Sequence, residues 1–258
     1  MRIRVFWTKP VPMERPPNRT LMNGLRVLEY LASEYREVSV TDLAQALNLP
    51  KSHVHRLLQS LVSVGYVSKC PDTRKYRCDY RLLALAGPFA ESIPLRKYGG
   101  PVLRELSEAT QASSYIGVLH QNAPLVMMEH LVTGPNQRIP WGWLSRHASA
   151  FGKLFLALKR LPVNPVELQR FSSSTITSVE QLEQELALIR RQGYSVNRRE
   201  GRANLYSFAA PICGEVGTLL GAVGLATSAD VVEKRGEEFY IGHVVAAAEK
   251  LSAMAERL

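Results

Sequence analysis

The segment from Ser39 to Lys69 constrains the fold of this chain more than any other part. It holds two short helical patterns on either side of an Asn-Leu-Pro break, and no acidic residue follows Asp42 within it. Ser39 is placed to cap the first helix, and Asp42, three residues later, completes a capping-box pattern. Pro50 then marks the start of a second helix, because proline is favoured in a first helical turn. The segment is therefore typical of a helix-turn-helix.

The second helix carries one apolar face and one polar, basic face. The residues predicted to form the buried face are Val54, Leu57, Leu58, Leu61 and Val62, which recur at helical spacing. Side chains on the other face can donate hydrogen bonds to phosphates or base edges. The predicted DNA contacts on this helix are Lys51, Ser52, His53, His55, Arg56 and Gln59.

These candidates differ in what they can do. Arg56 is the strongest candidate, because its planar guanidinium can bind guanine or phosphate through two bonds; the alternative is a solvated arginine. Ser52 at the helix start either touches phosphate or only caps the helix. His53 and His55 are two residues apart and point in different directions, so a surface or DNA-facing role is favoured over zinc binding.

A β-hairpin is expected directly after this helix. Gly65 is placed to end the helix in a left-handed conformation, and residues 66–70 form a strand pattern. The turn at residues 71–75 brings Arg74 and Lys75 to the hairpin tip, where they are predicted to contact phosphates, and residues 76–79 return antiparallel. The whole pattern is that of a winged helix-turn-helix. Cys70 and Cys78 are expected to be able to face each other across the hairpin, which leaves thiol-based redox sensing open.

The distribution of charge supports a nucleic-acid partner. The formal net charge is +9, and residues 1–87 hold 14 basic against 7 acidic residues, whereas residues 88–258 hold 18 against 16. A basic surface attracts RNA or an anionic membrane as well as DNA, so charge alone does not choose between them. The helix-turn-helix pattern selects double-stranded DNA.

The N-terminal part divides into three predicted regions. Residues 1–19 are rich in proline and arginine, and they are predicted to form a flexible basic arm that either enters the minor groove or is a solvated tail or a misassigned start. Residues 20–80 form the winged helix-turn-helix domain, whose first helix is marked by Leu21, Leu25, Leu28 and Leu31. Residues 81–95 form a linker helix, which Pro88 and Pro94 are expected to interrupt.

Residues 96–258 are predicted to form a second domain, a mixed sheet with helices. Helices are expected at about 96–110, 151–158 and 179–192 and at the C-terminus, with strands at about 113–120, 124–132, 194–199, 205–212 and 219–227. The fold class is thus α+β. No apolar run approaches the roughly 20 residues that span a bilayer. We expect a cytoplasmic protein without a membrane partner.

Several other classes of site find no support. The chain lacks the G-x-S-x-G and H-E-x-x-H motifs, so no enzyme is predicted. Gly214, Gly217, Gly221 and Gly224 precede no Gly-Lys-Ser/Thr triplet, so a hairpin is favoured over a phosphate loop. Three widely spaced cysteines suggest neither a disulfide framework nor a metal site. No cofactor is expected.

Five stretches in the same order resemble the IclR family of bacterial transcriptional regulators. They are RVLEYLA, LPKSHVHRLLQSLVSVGYV, ASAFGKLFLAL, IRRQGYSVNRREG and FAAPICGEVGTLLGAVGLA. The resemblance covers about residues 21–255. It implies an N-terminal winged helix-turn-helix, a linker helix, and a C-terminal effector-binding and oligomerisation domain similar to GAF and PAS folds. It also implies dimers or dimers of dimers on operator DNA, and small metabolites, often organic or aromatic acids, as effectors.

The family's effector pocket carries over only in part. The resemblance places it at Ala150, Phe151, Asn197, Ser207, Gly224 and Ala226. The family often has a small residue at Phe151, an acid or other polar group at Asn197, and serine at Gly224 and Ala226, so this site is more apolar. Trp141 and Trp143 are expected to add an aromatic wall, with core packing or a dimer interface as alternatives. The predicted ligand is apolar or aromatic with one polar end.

Three alternatives accompany this assignment. In the first alternative, the C-terminal domain binds no effector and only holds copies of the chain together. An enzyme that uses the C-terminal pocket is the second alternative, and a thiol-based redox regulator is the third.

Overall fold

The computed structural model describes residues 18–34, 36–132, 139 and 142–255. The chain divides into two compact units between Ser92 and Ile93. The predicted arm lies outside the described residues up to position 17, whereas Asn18 caps the first helix and Arg19 is its first residue. None of the helices in the described ranges is long and apolar enough to cross a membrane.

The first unit is a winged helix-turn-helix followed by a further helix. Its elements are α1 (Arg19–Ser33), α2 (Val40–Leu47), α3 (Lys51–Ser63), β1 (Val67–Lys69), β2 (Tyr76–Cys78) and α4 (Arg81–Glu91). Strands β1 and β2 pair antiparallel, and Val38 adds an isolated bridge to Tyr76. Gly65 has a φ of +77° directly after α3, which confirms the predicted left-handed helix end.

The core of this unit lies between α1, α2, α3 and the hairpin. Its buried residues include Val27, Leu31, Leu43, Leu47, Val54, Leu57, Leu58 and Tyr76. One detail of the predicted buried face of α3 is wrong, since Val62 is 38% exposed because the core reaches only as far as Leu61 at its margin. The first helix lies where the four leucines marked it, and it packs through Val27 and Leu31, whereas Leu21 and Leu25 are exposed.

Pro88 lies inside α4 and does not interrupt it, contrary to the prediction. A proline removes one amide donor from a helix, but the Ser92 amide still donates to the carbonyls of Pro88 and Phe89. The helix therefore continues to Glu91. The second proline, Pro94, stands at the first position of the next helix, where its missing N–H costs nothing.

The second unit is a single six-stranded sheet with helices on both faces. Its elements are α5 (Pro94–Thr110), β3 (Ser113–His120), β4 (Ala123–His130), β5 (Gly142–Trp143), α6 (Ala150–Leu158), α7 (Val179–Gln192), β6 (Ser195–Arg198), β7 (Leu205–Cys213), β8 (Leu219–Ser228), α8 (Ala229–Arg235) and α9 (Glu237–Ala255). The strand order is β5-β4-β3-β8-β7-β6. Every described pairing is antiparallel, so the prediction of a mixed sheet is wrong.

Alternate residues of each strand face two separate cores. Val223 and Leu225 of β8 belong to the core beneath α5 and α9. Ala222 and Ala226 face the opposite core, which contains α6 and α7. The predicted effector residues on this second face are Ala150, Phe151, Asn197, Ser207, Gly224 and Ala226. The α+β fold class, with a winged helix-turn-helix before an α/β domain, is confirmed.

Candidate DNA interface and effector pocket

Helix α3 presents a polar face opposite its buried residues. Lys51, Ser52, His55, Arg56 and Gln59 are exposed. Their position depends on the turn before α3, where Asn48 ends α2 with a φ of 53° and its amide donates to carbonyls of the last turn. Asparagine tolerates this left-handed conformation better than most residues, so the Asn-Leu-Pro break has a local cause.

His53 differs from the other predicted contacts of α3. It is half-buried, and its Nε2 lies 3.3 Å from Nδ2 of Asn23 in α1. Asn23 Oδ1 accepts a bond of 3.3 Å from Arg26, and Arg26 also donates to the Leu47 carbonyl at 3.2 Å. Since the Asn23 amide nitrogen is a donor, Nε2 of His53 is the acceptor in this arrangement. His53 therefore links α1 to α3.

The hairpin tip is fastened to the segment before α2. The Thr73 hydroxyl donates to the Glu37 carboxylate at 2.5 Å, and the Lys75 amide donates to the Thr73 hydroxyl oxygen at 3.3 Å. The Cys70 thiol and then the Thr73 hydroxyl donate to Glu37 and lower the pKa of its carboxyl. Arg74 and Lys75 are exposed beside this anchor. No sequence motif pointed to Glu37, because its partners lie more than thirty residues away.

The two cysteines of the hairpin do not face each other. Cys78 pairs with Val67, whereas the Cys70 amide bonds to the carbonyl of Lys75. Burial raises the pKa of the Cys78 thiol to about 11, and the hydrogen bond to Glu37 raises the pKa of the Cys70 thiol. Both thiols are thus held in the protonated, less reactive form. The expectation that they can face each other is wrong.

The predicted effector residues of the three strands form one contiguous area. Asn197 of β6 pairs with Ser207 of β7, which pairs with Ala226 of β8. Gly224 follows two residues away on the same face. Asn197, Ser207 and Ala226 are buried. Side-chain polarity thus decreases along the row from Asn197 through Ser207 to Ala226.

Ala150 and Phe151 begin α6 above this sheet face. The Ser149 hydroxyl caps the helix by accepting a bond of 3.0 Å from the Gly152 amide. A methyl carbon placed on Gly152 would lie 2.2 Å from the Ser145 carbonyl oxygen. Glycine is therefore required at position 152, because the preceding loop approaches the helix too closely for any side chain.

Asn197 has a structural role that the sequence did not predict. Its Nδ2 donates to the Ala148 carbonyl at 2.6 Å, and its Oδ1 accepts a bond of 3.0 Å from the Glu200 amide. The side chain thus connects the loop before α6 to the turn after β6. The Asn197 amide therefore already holds these two segments together.

Lys153 forms a buried ion-pair network that single motifs did not reveal. Its Nζ donates to Glu185 at 2.8 Å, to the Val196 carbonyl at 2.7 Å and to Glu200 at 2.6 Å. These three bonds use all three donors of the ammonium group. Burial raises the pKa of Glu200, and the charge of Lys153 beside it acts in the opposite direction. The network attaches α6 and α7 to strand β6.

His147 is buried in the loop before α6. Its Nε2 lies 2.9 Å from the Gln169 carbonyl oxygen, and its Nδ1 lies 3.3 Å from the Ser145 hydroxyl. Because a carbonyl only accepts, Nε2 carries the proton in the neutral ring. Burial lowers the pKa of His147. The side chain holds the loop against the segment at residue 169.

Only part of the predicted aromatic wall lies within the described residues. Trp141 lies outside the described residues, as does the side chain of Trp143. The backbone of Trp143 lies in β5, where it pairs with Leu125.

Among the described residues, no group of three or more histidine, cysteine or acidic side chains is placed to hold a metal ion.

Family models match both units of the chain. The IclR helix-turn-helix domain matches residues 20–71, and the C-terminal domain of bacterial transcriptional regulators of the IclR type matches residues 89–253. The chain belongs to the IclR family. Members of this family are DNA-binding transcriptional regulators, which agrees with the exposed basic face of α3.

Characterised relatives of this family member are regulators too. The chain is 27% identical to the HTH-type transcriptional regulator KdgR of Dickeya chrysanthemi over 88% of its length and 76% of that protein. It is 30% identical to the transcriptional repressor IclR of Escherichia coli strain K12, over 76% of this chain and 75% of that one.

Solved structures show the same architecture. An IclR homologue from Microbacterium hydrocarbonoxydans, complexed with 4-hydroxybenzoate, has a TM-score of 0.75 and 26% identity, and the match covers 92% of this chain and 99% of that one. An IclR regulator from Alicyclobacillus acidocaldarius has a TM-score of 0.79 at 22% identity, covering 93% and 100%.

Proposed function

We propose that this IclR-family member is a sequence-specific regulator whose operator affinity changes when a small metabolite binds the second unit. The observation that carries the DNA-binding part is the single exposed face of α3, where Arg56 stands with Lys51, Ser52, His55 and Gln59. This face enters the major groove, and Arg74 and Lys75 of the hairpin contact phosphates. His53 contributes by holding α3 against α1.

The proposed effector is a small organic or aromatic acid. The pocket residues are Asn197 and Ser207 at the polar end, with Ala150, Phe151, Gly224, Ala226, Trp141 and Trp143 around the apolar part. The burial of the described members and their row across β6, β7 and β8 support this assignment. The 4-hydroxybenzoate bound by one similar structure supports the ligand class.

We assign oligomerisation to an apolar surface on the first unit in addition to residues 96–258. Helix α4 buries none of its residues, although Leu83 is 69% exposed, Leu85 61% and Phe89 70%. So many exposed apolar side chains on one short helix are typical of a protein interface. The occupant we assign is a second copy of the chain, since a dimer presents two α3 helices to a palindromic operator.

In this proposal, residues 20–80 bind operator DNA, residues 81–95 form the linker, and residues 96–258 bind the effector. We assign no catalytic role and no cofactor to the chain. An effector that prefers one arrangement of the dimer changes operator affinity, and DNA changes effector affinity by the same factor.

The test is an anisotropy titration of an operator duplex, selected from randomised DNA, with benzoate, 4-hydroxybenzoate or succinate present. We expect at least one acid to change the operator Kd by about 5- to 150-fold, the usual range of such coupling. Calorimetry then measures the binding of that acid with and without operator. The two factors should be equal, and an operator Kd that none of the acids changes would contradict the proposed function.

A second candidate is a regulator whose C-terminal unit only oligomerises. Two observations favour it, since the Phe151 ring lies on the pocket face and both ends of the Asn197 amide have protein partners. In that case no acid raises the melting temperature, because only a ligand that binds the native state does so.

A further inference from the structure

The sheet face beneath α6 has two positions without side chains, and the Phe151 ring lies on both. A methyl carbon on Gly224 would be 2.9 Å from Cζ of Phe151, and one on Gly117 would be 3.4 Å from its Cγ. The ring thus occupies space that a side chain on β8 would fill. Gly224 also lies under the Phe208 carbonyl, 2.6 Å from the same methyl position.

The Phe151 ring lies two residues along β8 from the polar end of the proposed pocket. Gly224 precedes Ala226 by two residues on β8, and Ala226 pairs with Ser207. Two residues of a strand span roughly 7 Å. A ligand whose polar end binds Ser207 therefore reaches the Phe151 ring after about that distance, since the two groups share one face of the sheet.

Phe151 is held in place on its other sides. It is 4% exposed and stacks on Phe155, with ring centroids 6.4 Å apart and an angle of 17° between the rings. Its neighbour Gly152 is pressed against the Ser145 carbonyl, so the first turn of α6 has no room to withdraw. The ring is a fixed wall of the core and not a side chain that swings into solvent.

We propose that Phe151 closes the apolar end of the effector pocket and selects compact acids over aromatic ones. The inference rests on the proposed effector site. It narrows the ligand class to acids that fit between Ser207 and the ring. Loss of the ring extends the pocket over Gly224 and Gly117, so that an aromatic acid fits.

The test compares wild type with Phe151→Ala, with Phe155→Ala as the matched control. Both changes remove a buried phenyl ring from α6, but the structure places only Phe151 over the two glycines. Calorimetry with 4-hydroxybenzoate should show binding to Phe151→Ala at least about 10-fold tighter than to wild type, the scale of size discrimination by apolar pockets. Phe155→Ala should show no such gain.

Benzene is the second probe, because it needs only the vacated apolar space. It should raise the melting temperature of Phe151→Ala and leave that of wild type unchanged. If the alanine variant does not fold, Phe151→Leu retains most of the packing and should show the same trend, with a smaller gain.

Wild type that binds 4-hydroxybenzoate as tightly as Phe151→Ala overturns the proposal. A folded variant that binds neither probe overturns it too, as does one that binds benzene alone, because the space then does not open into the pocket. Failure of the proposed function is distinguishable, since it leaves operator affinity insensitive to every acid whatever the variant binds.

Discussion

At the residue scale, the side chains of α3 that are predicted to contact DNA are of two kinds. Most are exposed and can reach DNA, whereas His53 holds the helix in place. Arg56 and Gln59 are exposed, whereas His53 contacts Asn23. Loss of a base contact weakens binding to the cognate DNA sequence, whereas loss of a phosphate contact weakens binding to all DNA.

Replacement of Arg56 by alanine should weaken operator binding by about 1–3 kcal/mol while scarcely changing the binding of scrambled DNA, if the guanidinium reads a base. Lys75→Ala is the control, and it should weaken both DNAs alike and reduce the salt dependence. Anisotropy titrations on both duplexes measure this. Equal losses on both duplexes for Arg56→Ala would exclude a base-reading role.

Stability should depend on pH through His147. Burial lowers its pKa in the folded protein, whereas in the unfolded chain it titrates near about 6.5. The unfolded chain therefore takes up a proton that the folded protein resists, so the free energy of unfolding falls as the pH drops below about 6.5. Above that pH the His147 ring is neutral in both states, so its full contribution to the free energy of unfolding is present.

The measurement is urea unfolding of wild type and His147→Gln at about pH 7.5 and 5.5, either side of that transition. Glutamine can still donate to the Gln169 carbonyl but does not titrate. We expect a smaller loss of stability on acidification in the variant. The same loss in both proteins would assign the pH dependence to other groups.

At the element scale, helix ends account for much of what the sequence predicts correctly. The capping box of α2 is present, with Ser39 accepting from the Asp42 amide and Asp42 accepting from Ser39. The hydrogen bond from the Ser39 hydroxyl lowers the pKa of Asp42. A capping box joins two residues that lie three positions apart, so a short stretch of sequence is enough to predict it.

Ser39→Ala should lower the free energy of unfolding by about 0.5–2 kcal/mol, since it leaves a first-turn amide of α2 without its partner. The matched control is Ser63→Ala at the exposed end of α3, which should change stability by less than about 0.5 kcal/mol. Urea unfolding followed by circular dichroism compares them. Equal effects would show that the cap contributes nothing specific.

The parts that the sequence did not predict depend on contacts between distant residues. Lys153 meets Glu200 across 47 positions, and Asn197 meets Ala148 across 49. Period and spacing report only which face of an element is buried. The family resemblance placed Asn197 among the predicted effector residues, but neither it nor the spacing predicted that both ends of its amide bind backbone groups.

At the scale of the whole molecule, the proposed function requires more than one copy of the chain on DNA. The exposed apolar residues of α4 are the surface assigned to that contact. Phe89→Glu should shift the protein to a lower mass in sedimentation velocity and weaken operator binding, because a charge in an apolar interface is left unpaired. Val166, which is 91% exposed, provides the control as Val166→Glu.

An unchanged sedimentation coefficient for Phe89→Glu would exclude α4 from the interface. A wild-type protein that sediments as a monomer when bound to operator would exclude the dimer itself. The control variant separates these outcomes from a general effect of surface charge.

The most direct test of the central claim is the ratio of affinities for the selected operator and for its scrambled version. Anisotropy at about 0.15 M salt should give a ratio of at least about 10³, as expected for specific recognition. Equal affinities for the two duplexes, changing only with salt concentration, would contradict the proposed function, because the exposed face of α3 would then bind phosphates without reading bases.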